Sequence, residues 1–366
     1  MHQITESSTI ITASQGKLSK QLEVFYNPIM KFNRDTSILL LNALNRKHLQ
    51  IADPLAGSGI RSIRFINELN REIIKSISIN DSSKSAVKAI KNNLKLNKIK
   101  NITITNKDAN EFILNSKGFD YIDIDPFGSP NPFLDAAIKR LSRTGILAVT
   151  ATDTAPLAGT YQKACKRKYW ATPLRNHLMH EVGLRILIRK VQLIAAQYDK
   201  ALVPVLSYSK DHYYRIFFQS EKSKTECDKI LKQHKTFIYC PHCTAYGIEK
   251  HCSCKNMPQL VGPLWIGQLH DKKIIAKMVR LTKEKETKKF LHTIKQEANM
   301  VGFYDLHILS KKTKTQPQKT ADVIKKLRQK GFIATPTHFS AHAIKTDAKV
   351  KELTQSLSSH QSLHMS

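Results

Sequence analysis

The stretch Leu49-Gln50-Ile51-Ala52-Asp53-Pro54-Leu55-Ala56-Gly57-Ser58-Gly59-Ile60-Arg61 decides the fold. Leu49 to Ala52 is a short apolar run of the kind buried in a sheet, stopped by Asp53-Pro54. A glycine turn follows, and then helical spacing through Leu69. Glycines at such a turn let the backbone approach a ligand, and the helix N-terminus offers free N–H groups to it. Gly57-x-Gly59 alone would also suit a dinucleotide or an ordinary tight βα turn. Two features point away from a dinucleotide. The loop opens with Asp53, which is unfavourable beside a pyrophosphate and suited to a cationic methionyl group. No glycine follows Gly59 through Ile63, so the dinucleotide fingerprint is incomplete.

Outward from this loop, strands are expected at Ser76–Asn80, Ile102–Thr105, Phe119–Ile124 and Gly145–Thr150. Helices are expected at Ser83–Leu96, where Ala86, Ala89, Ile90 and Leu94 share a face, and at Ala109–Leu114 and Asn131–Leu141. This alternation, which runs to about Tyr208, means βαβ units: an α/β, Rossmann-like parallel sheet with helices on both faces. Ligands of such sheets sit at the carboxyl ends of the strands, where Asp53, Asp81, Asp108 and Asp125 fall. Asp81 comes about 20 residues after the glycines, the spacing from which a carboxylate reaches both ribose hydroxyls. Asp108 is placed to take an adenine amine. Either residue alone is as well explained as a helix N-cap. At the ends of consecutive strands, they describe an adenosine pocket.

The fourth strand runs into Tyr121-Ile122-Asp123-Ile124-Asp125-Pro126-Phe127-Gly128-Ser129-Pro130. The lone pair of an exocyclic base amine is delocalised into the ring. A site that alkylates it must accept hydrogen bonds from the N–H₂ group and then dispose of a proton. Asp125 beside a carbonyl stiffened by Pro126 supplies two acceptors at fixed geometry, and Phe127 offers a ring on which a base can stack, worth ~1–3 kcal/mol. A proline-rich turn capping the next helix is the plainer alternative. It explains the prolines but not why Asp-Pro-Phe falls where a donor's methyl group would lie.

The 366 residues suffice for two domains, and 59 Lys and Arg against 29 Asp and Glu leave a net charge of +30. Charge of that size strains a compact fold, so a polyanionic partner is the natural explanation, with a lysine-rich genome composition as the alternative. Basic stretches such as Lys163, Lys166, Arg167, Lys168 and Lys311, Lys312, Lys314 are spread along the chain, unlike a basic tail on a neutral enzyme. No apolar run approaches the ~18–20 residues that span a bilayer, and the N-terminus lacks a signal-peptide core, so a cytoplasmic protein without membrane association is expected. The first residues read instead as a short strand pair around Gln15-Gly16. Composition shifts near residue 220, dividing the chain into a catalytic domain 1–220 and a smaller α+β domain 221–366. In the latter, Glu221–Lys235 reads as a charged helix. Helix Thr320–Lys330 with strands Phe332–Thr335 and His342–Thr346 resembles part of a winged-helix unit. Cys240-Pro-His-Cys243 and Cys252-Ser-Cys254 have the spacing of a structural zinc site across 240–254, either from four thiolates or with His242 or His251 replacing one of them. Cys165 and Cys227 stand alone and read as packing residues.

Asp125-Pro-Phe-Gly-Ser-Pro130 resembles the fourth motif of amino-methyltransferases. More closely, the chain resembles the tRNA (guanine-26-N2)-dimethyltransferases over nearly its whole length. The matching stretches are Val24-Phe-Tyr-Asn-Pro28 with Asn33-Arg-Asp35, Ala56-Gly-Ser-Gly-Ile-Arg61, the Asp125 motif, Thr150-Ala-Thr-Asp-Thr154, His180-Glu-Val-Gly-Leu-Arg185, Asp211-His-Tyr-Tyr-Arg215 and Gly262-Pro-Leu-Trp-Ile-Gly267. The resemblance implies S-adenosylmethionine as donor, tRNA as partner with no obligate protein partner, and two successive methyl transfers to N2 of guanine-26. It implies that Arg34 and Arg61 meet the methionine carboxylate region, Asp81 the ribose, and Asp108 with Ala109 the adenine. Asp125 becomes the catalytic acceptor, with Phe25 and Phe127 flanking the base. Without the resemblance, Arg34 would read as a surface partner of Asp35. The competing readings are an amino-methyltransferase for another base and an inactive RNA-binding relative.

Overall fold

The structure, a computed structural model, describes residues 2–14, 24, 26–248, 252, 254 and 256–358. Its centre is a seven-stranded sheet of β1 (Leu49–Asp53), β2 (Ile74–Asn80), β3 (Thr103–Thr105), β4 (Phe119–Ile124), β5 (Leu141–Ala151), β6 (Lys200–Lys210) and β7 (Tyr213–Lys222). The strands lie in the order β3-β2-β1-β4-β5-β7-β6. β1 to β5 are parallel, while β7 runs antiparallel to both β5 and β6. The order reverses between β1 and β4, which opens a crevice at their carboxyl ends.

The parallel half follows the sequence reading to within a few residues, and Phe119–Ile124 and Ala109–Leu114 are as expected. The β6–β7 hairpin does not follow from it. Both strands are buried almost throughout, so they show none of the alternation that marks a half-exposed strand. β7 takes Glu221 and Lys222, and the charged helix expected from Glu221 begins at Lys224. The N-terminal pair His2–Glu6 and Thr9–Ala13 turns at Ser7-Ser8, with Ser7 at φ 53°, instead of at Gln15-Gly16, which lie outside the described residues.

Past residue 220 the chain adds a small sheet (His234–Tyr239, Tyr246–Gly247, Gln259–Trp265), the helix pair Lys272–Leu281 and Lys285–Gln296, and a terminal unit. In that unit the helix Thr320–Gln329 packs with strands Ala334–Pro336 and Ala343–Thr346 around Leu306, Val323, Leu327 and Leu353. The change in composition at residue 220 is not a break in packing. One apolar core runs from Ile122 and Leu147 through Leu184 to Phe237, Trp265 and Phe303. Among the described residues no helix is long and apolar enough to cross a membrane.

A buried charge cluster crosses the same junction. From the helix Met179–Ala196, Arg185 donates to the carbonyls of Trp265 (3.0 Å), Gly267 (2.9 Å) and Met300 (3.2 Å) and pairs with Glu181 at 2.9 Å. Lys345 of the terminal unit reaches Glu181 at 2.7 Å. Removing one member of such a cluster leaves its partners buried and unsatisfied. Arg185→Leu is therefore expected to cost about 3–5 kcal/mol of unfolding free energy in chemical denaturation, and a loss below 1 kcal/mol would show the cluster to be idle.

Candidate active site and metal centre

A cavity of about 710 Å³ opens at the carboxyl ends of β1, β2 and β4, lined among others by Asp53, Gly57, Asp81, Asp125 and Phe127. It is large enough for a nucleoside-sized ligand and a base together. Its floor is a row of paired charges. Asp123, fully buried in β4, receives Arg215 of β7 through two hydrogen bonds of 2.8 and 2.7 Å and the Tyr121 hydroxyl at 2.6 Å. Burial alone would push the Asp123 carboxyl up; the guanidinium groups of Arg215 and Arg61 outweigh it and hold the group ionised below its ordinary range. Arg61, from the first turn of the helix Ile60–Glu68, lies 3.2 Å from Asp123 and contacts Oδ2 of Asp125. Asn33 (2.9 Å) and Ser37 (3.2 Å) of the helix Lys31–Leu44 accept from its Nη1.

Asp125 is therefore presented with one oxygen engaged by Arg61 and a partly exposed carboxylate at the cavity wall. Phe127, two residues on, is 42% exposed at the rim. The loop between them and the next helix is fixed by Gly128, which at φ +94° donates to the Thr152 hydroxyl (2.7 Å) and accepts from Thr152 N–H (3.0 Å). Only glycine takes that backbone conformation without strain.

The other candidates fall into three groups. Asp53 is buried, accepts a hydrogen bond from Ser62 (2.7 Å) and lines the cavity. Burial pushes its carboxyl up to about 7, with Arg61 opposing and Asp123 adding to the effect. Asp81 accepts from Gly57 N–H (2.8 Å) and Ser83 N–H (2.9 Å), so it shapes the glycine loop as well as facing the cavity; burial raises its carboxyl against those two bonds. Asp108 caps the helix Ala109–Leu114 through Asn110 N–H (2.8 Å) and Glu111 N–H (3.2 Å). With the buried Ala109 it lies beyond the cavity lining formed by the described residues. Phe25 lies outside the described residues, while its neighbours Tyr26 and Asn27 line the cavity.

Arg34 is not the surface partner of Asp35. It is buried, donates to Glu6 (2.7 Å) and to the Asn27 carbonyl (3.1 Å), and borders the cavity; Asp35 pairs with Lys31 and Arg64 instead. Glu6, which no local pattern singles out, takes Arg34, Arg64 (2.8 Å) and the Tyr26 hydroxyl (2.9 Å). Burial would raise its carboxyl, yet the hydrogen bond and charge of Arg34 and the charge of Arg64 hold it at about 2. Asp123 and Arg215 are likewise not singled out by the sequence, although each is a charge flanked by buried apolar residues in its strand.

In the small sheet, the sulfurs of Cys240, Cys243, Cys252 and Cys254 all lie within 4.8 Å of one another. Four thiols so gathered match a closed tetrahedral zinc site. His242 Nδ1 sits 3.8 Å from the Cys254 sulfur, beside the four thiols, and His251 lies outside the described residues. Cys165 and Cys227 are buried packing residues, as expected.

The sheet order, the glycine turn after β1 and the carboxylates after β1, β2 and β4 define the class: a Rossmann-like methyltransferase. Residues 3–358 match the family described as TRM, N2,N2-dimethylguanosine tRNA methyltransferase, and the chain belongs to that family. It is 40% identical to the tRNA (guanine(26)-N(2)/guanine(27)-N(2))-dimethyltransferase of Aquifex aeolicus, over 92% of this chain and 90% of that protein. It is 39% identical to the tRNA (guanine(26)-N(2))-dimethyltransferase of Methanocaldococcus jannaschii, over 93% and 94%. The solved structure of Trm1 from Pyrococcus horikoshii with S-adenosyl-L-methionine matches with a TM-score of 0.87 at 36% identity, covering 98% of this chain and 100% of that one.

Two outcomes follow from this geometry. The Glu6 carboxyl sits below its ordinary value of 4.5 in the folded state, so its stabilisation is complete above that pH and is lost as pH falls toward about 2. Glu6→Gln should flatten that segment of the stability–pH curve, and an unaltered curve would remove the clamp. Cys240→Ser with Cys243→Ser should abolish zinc measured by elemental analysis, whereas a full equivalent retained would refute the four-cysteine site.

Proposed function

We propose that this protein methylates the exocyclic N2 of guanine-26 in tRNA, once and then again, with S-adenosylmethionine as donor. The observation that carries the reading is the Asp125 carboxylate, held by Arg61 at the end of β4 and opening into the same cavity as Asp81 and the Gly57–Gly59 turn. When bound, the donor supplies an electrophilic methyl group on a sulfonium. Asp53, Gly57 and Gly59 would border its methionyl part, with Arg34 and Arg61 toward the carboxylate. Asp81 would hold the ribose, and Asp108 with Ala109 the adenine.

The target amine donates one N–H to Asp125 and the other to the Pro126 carbonyl, which draws lone-pair density back to nitrogen. Phe127 stacks on the extruded guanine, and Phe25 is assigned to its other face. In each transfer the nitrogen gives up the proton it donates to Asp125, which passes it on to solvent, and after the first the remaining N–H has to turn back toward Asp125 for the second. Residues 1–220 carry this chemistry, while 221–366, stapled by zinc at Cys240, Cys243, Cys252 and Cys254, contribute to holding tRNA. The Aquifex relative is also named for guanine-27, which makes the adjacent guanine the second reading.

Incubation of unmodified tRNA with donor and enzyme should yield N2,N2-dimethylguanosine by nucleoside mass spectrometry, mapped to position 26. Asp125→Ala should reduce turnover roughly 10²–10⁴-fold while the donor still raises the melting temperature. Wild-type turnover in that variant would strip Asp125 of its role, and methylation of another base would overturn the assignment.

A further inference from the structure

One basic stretch has no part in the chemistry described so far. The helix Gln162–Tyr169 follows β5 and buries only Cys165 and Tyr169, one turn apart. Lys163, Lys166 and Arg167, spaced i, i+3 and i+4, are exposed together on its outer face. None of the three has an acidic partner among the described residues, whereas Lys168 of the same helix lies 3.5 Å from Asp153. The stripe continues into Trp170, which is 51% exposed and has the Lys190 ammonium 2.9 Å from its ring centroid. Tyr161, 61% exposed, stands at the other end.

This helix is fastened to the loop that carries Asp125. The Tyr169 hydroxyl donates to Asp153 at 2.6 Å and lies 2.9 Å from the Ser129 hydroxyl. The Asn131 side chain donates to the Lys168 carbonyl at 2.9 Å. Ser129 and Asn131 follow directly on Phe127-Gly128 of the cavity rim. The unpaired cations are thus held on a short rigid arm beside the mouth through which a base must enter.

We infer that the outer face of Gln162–Tyr169, with Trp170, is the track for the RNA backbone flanking the target guanine. This inference rests on the tRNA methyltransferase reading and names the surface that serves it. An extruded base leaves its own phosphate and its neighbours outside the cavity, where they need cations at a fixed offset from Asp125. Lys163, Lys166 and Arg167 supply three, and the ring of Trp170 supplies a platform for an exposed base or ribose.

The test uses the full-length protein and the same unmodified tRNA. Lys163→Glu, Lys166→Glu and Arg167→Glu together are compared with Lys75→Glu, Lys117→Glu and Arg143→Glu, an equal charge change on exposed residues at the amino ends of the strands. The first variant should weaken tRNA binding roughly tenfold or more and reduce the slope of log K against log salt by about 2–3. Its melting temperature and its response to S-adenosylmethionine should stay as in wild type, with the loss in KM for tRNA and turnover recovered at saturating tRNA. The second variant should bind much closer to wild type. Trp170→Ala should lose affinity with the salt slope unchanged. Equal losses in the two charge variants would reduce the effect to net charge and overturn the track, as would wild-type affinity and slope in the first. A wild-type protein that binds tRNA through this helix but transfers no methyl group to it would uphold the surface and sink the methyltransferase reading instead.

Discussion

The site depends on one buried carboxylate, Asp123. It lies in the middle of the sheet with no access to water, and a charge there is tolerable only because Arg215 and Arg61 converge on it from different elements. Each guanidinium is in turn buried and needs its own acceptors, which Asn33, Ser37, Thr150 and Asp125 provide. Five pieces of secondary structure are thereby locked into one register: β4, β5, β7, the helix Lys31–Leu44 and the helix Ile60–Glu68. Asp125 inherits its orientation from this arrangement. Its loop could swing as a proline-rich turn, yet Arg61 fixes one oxygen and Thr152 fixes the backbone at Gly128. The other oxygen is left for whatever enters the cavity.

A second buried carboxylate does similar work behind the lining residues Arg34 and Tyr26. Glu6 comes from the N-terminal hairpin, far from the sheet in sequence, and draws Arg34, Arg64 and Tyr26 together. The hairpin thus becomes part of the cavity's construction, and Arg34 is held at the lining by an interaction that offsets its burial. The cost of removing these charges from water is met only when every partner is in place. The cavity is consequently assembled in an all-or-none way, with its cations in position before any ligand arrives.

What could be read from the sequence follows from the range of the interaction involved. The strand–helix alternation, the glycine turn and the strand-end aspartates are local, and β1 to β4 and the cavity-lining Asp53, Asp81 and Asp125 were legible from short windows. The cysteine cluster was legible because its ligand spacing is local too. The charge pairs were not. Asp123 finds Arg215 across 92 positions, and no periodicity announces that pairing. Arg34 illustrates the difficulty: Asp35 is its neighbour in sequence, but successive residues on a helix point in different directions, and Glu6 is its neighbour in space. The β6–β7 hairpin was hidden for another reason. A strand covered on both faces carries little alternation to mark it, and nothing local says which strand it pairs with. For Asp108 the local explanation, a helix cap, is realised in the structure, and a ligand contact would have to use the carboxylate beyond those two bonds.

The distribution of charge ties these observations to the substrate. Inside, the imbalance is small: most buried cations face a buried carboxylate, while Lys190 rests on the Trp170 ring and Lys200 on the carbonyls of Ile138, Lys139 and Leu141, since an unsatisfied charge would cost several kcal/mol. The excess of +30 must then reside largely on the surface, where it repels itself until a polyanion arrives. A surface of this kind gives affinity for any RNA, and selection has to come from geometry. The buried cluster of Arg185, Glu181 and Lys345 supplies the needed stiffness, because it joins the terminal unit to the helix Met179–Ala196, itself packed on the sheet that carries Asp125. An RNA gripped at several places on a rigid body can present only the nucleotide whose distance from those grips matches the distance to the cavity. Position along a folded tRNA can be measured that way without any base being read outside the pocket.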